Sequence, residues 1–146
     1  GVWDVATGRL IGEPTEFTDA RLSAVACTVL DGRPIAVLSL NNGIGLGSGS
    51  GRVVVWDVAT GRLIGEPTEF TDARLSAVAC TVLDDRPIAV ISGRGLTVWD
   101  LRVGKLLQHL AVPHPKDVEV AHDGSLVAIL GRDIAAFRHR SDRRTQ

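Results

Sequence analysis

The sequence predicts an all-β fold built from repeated units of four antiparallel strands, and three observations carry that reading. The segment from Val2 to Leu38 recurs as Val55 to Ile91 with two changes, Gly32 to Asp85 and Leu38 to Ile91. Tryptophans punctuate the chain at Trp3, Trp56 and Trp99, and the 43-residue step from Trp56 to Trp99 matches the roughly 40–45 residues of a four-stranded repeat. No segment shows a long 3.6-residue apolar period closed by helix caps, so helices are expected to be few.

Taken in order, the chain enters on Val2-Trp3-Asp4, which repeats as the end of a third strand, and Arg9 to Glu13 supplies a fourth. Within one full unit, Ser76 to Leu83 and Pro87 to Ser92 are short β-rich runs separated by the turn composition Asp84-Asp85-Arg86. Leu96 to Trp99 makes a third strand, and Lys105 to Val112 a fourth after the turn Asp100 to Gly104. Trp3 and Trp56 stand 53 residues apart because of one insertion, Ser39 to Arg52, where the next unit has only Gly93-Arg94-Gly95. The expected divisions are a partial unit at 1–15, full units at 16–67 and 68–112, a degenerate unit at 113–140 and a polar tail at 141–146. Val78, Cys80 and Val82 alternate with Ala77, Ala79 and Leu83, so both faces of this strand are apolar. Such a strand needs cover on both sides, which stacked sheets provide.

Composition narrows the function classes. An apolar share of 45% in 146 residues suffices for a core without disulfide or metal staples. Sixteen basic and seventeen acidic residues leave a net charge of −1, which argues against nucleic acid or an anionic membrane as the main partner. Cys27 and Cys80, at equivalent places in the duplication, read as buried free thiols and point to a reducing, cytoplasmic compartment. There is no apolar run long enough for a membrane-spanning helix and no secretory leader pattern. The start at Gly1, on the end of a strand, reads as a cut from a longer protein, and the excess of arginine over lysine suggests a high-GC bacterial source.

Catalytic motifs are not met. The glycine run from Gly43 to Gly51 fits neither phosphate-binding spacing, lacks a following lysine and leads into a strand where those motifs require a helix. His109, His114, His122 and His139 are scattered and show no metal-ligand spacing, and Asp123-Gly124 reads as a hairpin turn. Ser23 and Ser76 have no histidine nearby in sequence. No catalytic residue, metal site or cofactor is expected.

With these residues in view, the chain resembles the WD40 repeat family over essentially its whole length. Trp3-Asp4, Trp56-Asp57 and Trp99-Asp100 are similar to the family's signature at the end of the third strand, each followed by a turn ending in glycine at Gly8, Gly61 or Gly104. In the last unit Ala121-His122-Asp123-Gly124 resembles the family's Ser-Pro-Asp-Gly turn, and Ala136-Phe137 is read as standing where Trp-Asp would be. The chain departs from the pattern at Glu16 to Asp19 and Glu69 to Asp72, where Gly-His is usual, and at Ser50 and Arg94, where an aspartate is usual. These departures imply that the family's His-to-Asp hydrogen-bond network is not formed.

The resemblance implies WD40-type β-propeller blades, about three of them, too few to close a ring of 4–8. They form part of a larger ring, or two copies complete a six-bladed ring by exchanging the outer strand. It further implies a non-enzymatic scaffold whose loops bind a protein partner or a neighbouring domain, possible regulation of an attached catalytic domain included. Family topology gathers on one face the loops before the first and third strands, where Asp19, Arg21, Asp72, Arg74, Arg94 and Arg132 are the candidate contacts. Two alternatives stand beside this reading: a sensory propeller with a small-ligand site at the mouth of its central channel, and a truncated product without independent function.

Overall fold

Positive φ at paired turn positions shapes the two main hairpins. In a computed structural model, which describes residues 2–11, 17, 20–42, 50–71, 74–113, 115–121 and 123–138, Asp31 and Gly32 have φ of 50° and 78°, and Asp84 and Asp85 have φ of 50° and 63°. Both pairs are two-residue loops, bounded by Leu30 opposite Arg33 and Leu83 opposite Arg86. Two positive φ values in such a loop are the mark of a type I′ turn, whose twist matches that of the flanking strands. Aspartate tolerates this conformation better than most residues, which explains why Gly32 could become Asp85 between the two copies.

The described residues form thirteen strands in four antiparallel sheets, without a helix. A two-stranded ribbon pairs β1 (Val2–Trp3) with β2 (Leu10–Ile11). The first four-stranded meander runs β3 (Ala20–Leu30), β4 (Arg33–Asn42), β5 (Ser50–Asp57) and β6 (Arg62–Phe70). The second runs β7 (Ala77–Leu83), β8 (Arg86–Ser92), β9 (Leu96–Asp100) and β10 (Lys105–Leu110). A three-stranded sheet of β11 (Pro115–Val120), β12 (Leu126–Leu130) and β13 (Asp133–Phe137) follows. The strands of the second unit thus lie within a residue or two of their sequence-based limits, and Asp123-Gly124 does form a turn, with Gly124 at φ 89° and Asp123 Oδ1 accepting the Ser125 amide. Within the Ser39–Arg52 insertion, residues 43–49 lie outside the described residues.

The sheets meet through their first strands, β3 against β7 and β7 against β11. Ile35, Val37, Val53, Val78 and Ile91 pack between the first and second meanders. Ala79, Ile88, Val90, Leu96, Val118 and Ala128 pack between the second meander and the three-stranded sheet. β7 therefore serves two cores, Val78 on one side and Ala77 and Ala79 on the other, as its two-faced apolar pattern requires. Each fully buried Leu or Ile contributes roughly 1.5–3 kcal/mol relative to exposure.

β3 shares its sequence with the corresponding segment of the second copy but not its surroundings. Ala24, Ala26 and Leu30 pack inward, while Leu22 and Val25 are exposed at 55% and 60%, where their counterparts Leu75 and Val78 are buried. Cys27 lies on that same outward side and is exposed, which corrects the expectation of a buried thiol; Cys80 is the partly buried one of the pair. The difference has a simple cause. The second meander has a sheet on each side, whereas among the described residues nothing stands outside the first meander in the way that the first covers the second.

A second correction concerns the last sheet. Trp99 packs into the core between the meanders and meets Phe70 edge-on, with ring centroids 6.1 Å apart and planes at 72°. The residue that packs in the same way between the second meander and the last sheet is Phe137, while Ala136 is exposed. Phe137 alone takes the tryptophan's place, so the Ala136-Phe137 alignment is off by one: strand alternation decides which residue faces the core, and the short motif did not show it.

The aspartate after each tryptophan locks a turn. Asp57 is 2% exposed; its Oδ1 accepts the amides of Ala59 and Thr60 at 2.9 and 3.2 Å, and its Oδ2 accepts Arg33 Nη1 at 3.1 Å. Asp100 repeats the arrangement with the amides of Arg102 and Val103 and an ion pair to Arg86 at 4.0 Å. Asp4 caps its own turn through Ala6 and Thr7. Burial by itself would raise the Asp57 carboxyl, but the Arg33 bond and the two amides outweigh it and hold the group below the ordinary carboxylate value. A depressed folded value stabilises the fold above the unfolded value, about pH 3.9, and that contribution is lost as pH falls through the folded value. Asp57→Asn should therefore melt several degrees below the parent at pH 7. The gap should persist down to about pH 4–5 and narrow below it, as followed by circular dichroism; a gap that does not depend on pH would show that the charge is immaterial.

Candidate functional site

A concavity that carries two candidate residues lies where the chain enters the first strands of the second and third sheets. Its position is set by side chains that stand in for missing strand pairing. Asn41, near the end of β4, donates its Nδ2 to the Leu75 carbonyl at 2.9 Å and accepts the Leu75 amide on Oδ1 at 2.7 Å. The segment leading into β7 is thereby pinned to the first meander. On the other side, Ser92 Oγ and Ser76 Oγ donate to the Pro115 carbonyl at 3.1 and 3.3 Å and hold the start of β11 against the second meander. Ser23 and Ser39 make the matching contact in the first meander, with their hydroxyls 2.7 Å apart. These four serines are structural partners, and among the described residues none is bonded to an imidazole.

Between the two pinned segments lies a groove of about 550 Å³. Leu75, Ser76 and Pro115 are among its lining residues, together with Val112 and Pro113. Three cationic side chains also line it: Arg74 immediately before Leu75, Lys116 immediately after Pro115, and Arg94 from the β8–β9 turn. Among the described residues no carboxylate lines it, and the three ion pairs use Arg33, Arg86 and Arg102 instead. Arg94 also borders a neighbouring hollow of about 370 Å³ that Glu69, Thr71 and His109 help to line.

Of the six residues singled out from the sequence, the structure brings Arg74 and Arg94 together. Arg21 lies on β3 opposite Asn41 and is exposed, and Arg132 is exposed in the β12–β13 turn; neither lines the groove. Asp19 and Asp72 lie outside the described residues, as do His114, His122 and His139. Lys116 is the member that the sequence reading missed. What could have found it is its place beside Pro115, the residue where β11 begins.

Other chemistry is limited among the described residues. No group of three or more His, Cys, Asp or Glu side chains is arranged to hold a metal ion, and no helix is long and apolar enough to cross a membrane. His109 is exposed and contacts the Thr97 hydroxyl through Nδ1 at 3.3 Å. The chain matches no protein-family model and no curated protein sequence.

The two thiols differ in reactivity. Burial, and to a lesser extent the proximity of Cys27, pushes the Cys80 thiol up to about 12, so its thiolate is scarce near neutral pH. Brief treatment of the folded chain with iodoacetamide at pH 8 should therefore add one adduct, on Cys27. Peptide mass mapping reads the outcome, and equal labelling of Cys80 would show that its burial is not maintained in solution.

Proposed function

We propose that this chain is a non-catalytic interaction module, a run of WD40-type β-propeller blades whose loop face holds a partner protein or a neighbouring domain. The observation that carries this reading is the groove between the pinned entries to β7 and β11. It is concave and of a size that suits a few residues of a bound chain. Its cations have no ion-pair partner among the described residues, and its backbone is fixed by side-chain hydrogen bonds rather than left to a free loop. A rigid frame under variable loop side chains is what a binding surface needs. The sequence departures at Ser50 and Arg94 also make sense here: Arg94 faces the groove instead of serving an internal network. Two free thiols support a reducing, cytoplasmic setting.

Selection of random peptides on the folded chain tests the reading. The control is Pro113→Cys in a Cys27→Ser background, coupled to a polyethylene-glycol maleimide that blocks the groove. Enriched peptides should bind the open chain and lose binding when the block is attached. Absence of enrichment, or peptides indifferent to the block, would overturn the assignment.

A second reading, self-assembly by strand exchange, is favoured by the two ends of the sheet stack. Residues 2–11 are identical to residues 55–64, yet Trp3 is 61% exposed where Trp56 is half-buried. Among the described residues no strand pairs with the outer edge of β13. A second copy offering its β1–β2 ribbon to that edge would bury Trp3 and complete a fourth strand. Light scattering should then give twice the chain mass, falling to the single-chain mass for Trp3→Glu; a parent chain that stays monomeric at high concentration would rule the exchange out.

A further inference from the structure

We infer that the groove between the entries to β7 and β11 takes an acidic, extended peptide segment with an apolar residue between its carboxylates. The inference rests on the interaction-module reading and specifies the partner's chemistry. The chain as a whole carries a net charge of −1, so a cluster of Arg74, Arg94 and Lys116 around one concavity is a local feature, not the spill-over of a basic protein. Among the described residues no carboxylate lines the groove to neutralise them, and the ion pairs involve other arginines. Cations held near one another without counter-charge repel, and an anionic ligand relieves that repulsion.

The arrangement favours a peptide over a bare anion. The cations come from three separate places in the fold: the β6–β7 connection, the β8–β9 turn and the start of β11. Such a spread suits several carboxylates along a chain better than one small ion. Val112 and Pro113 line the same groove, apolar surface that has no use for a phosphate but can cover an aliphatic side chain. The backbone on either side is fixed before any ligand arrives, by Asn41 at Leu75 and by Ser76 and Ser92 at Pro115. Less ordering is then required on binding. The two arginines also offer planar, bidentate donors to carboxylates.

The test is fluorescence anisotropy with a labelled peptide of alternating Glu and Leu, run at two salt concentrations. The peptide should bind, and its affinity should weaken as salt rises. Arg74→Glu with Arg94→Glu, and separately Lys116→Glu, should each weaken binding, the double variant by roughly tenfold or more. Arg132→Glu should leave binding unchanged, and circular dichroism confirms that each variant is folded. A Lys–Leu peptide should not bind. The inference is overturned if the Glu–Leu peptide fails to bind, if a thymidine oligonucleotide or free citrate competes at equal charge concentration, or if Arg132→Glu weakens binding as much as the groove variants. If random-peptide selection yields groove-dependent sequences that are apolar or basic, the interaction module stands and only the acidic specificity fails. If that selection yields nothing, both fail together.

Discussion

Much in this fold follows from one constraint: in the two duplicated units the first hairpin is apolar on both faces. A strand such as β7, with Val78 on one side and Ala77 and Ala79 on the other, cannot lie on a surface with one side wet without exposing part of that apolar surface. Sheets therefore stack, first strand against first strand, and the alternation of small alanines with larger branched residues allows close approach. The duplication tests this constraint within a single molecule. The same sequence is covered on both sides in the second unit and on one side in the first, and Val25 is exposed at 60% where its counterpart Val78 is buried, whereas Val29 and its counterpart Val82 are exposed in both. Exposure at that face is thus a matter of neighbours, not of residue choice.

Stacking alone would leave the order of strands within each sheet loosely specified, and the turn aspartates supply what is missing. Asp57 ties the turn that follows its own strand to Arg33 at the start of β4, two strands that are partners in the same sheet. One carboxylate therefore satisfies two turn amides and fixes the register of a neighbouring pair. Asp100 does the same with Arg86, at longer range. Because the aspartate follows the core-packing tryptophan directly, one dipeptide places a large side chain between sheets and a lock at the sheet's end.

Much of this was legible in the sequence, and what was not has a common cause. Strand limits, the turn at Asp84-Asp85 and the scarcity of helix, none of which occurs among the described residues, depend on local chemistry, so the alternation of apolar residues and the turn residues revealed them. Cys27 was misjudged because its exposure depends on a neighbouring sheet, about which its own strand is silent. The Ala136-Phe137 alignment slipped by one residue because a two-residue motif with neither Trp nor Asp has no phase of its own; the core contact of Phe137 supplies it. At the candidate site, Arg74 and Arg94 were named from their loops, but their meeting with Lys116 depends on how two sheets are docked, which no spacing encodes.

The side chains that dock those sheets are also what fix the candidate site. Asn41 comes from the insertion-bearing end of β4, where the second unit has Arg94 at the equivalent step after its serine, Ser39 being matched by Ser92. In the first unit that position spends its side chain on a backbone bridge to Leu75. In the second unit Ser92 already reaches Pro115, and the position after the turn glycine is released to carry a guanidinium into the groove. The two units therefore divide a task that a single sequence position could not perform twice: one residue joins sheets and its counterpart faces outward. The groove exists because the joint between the last two sheets is made by short hydroxyls, which leave the space above them open, and its charge follows from the freedom this gives Arg94.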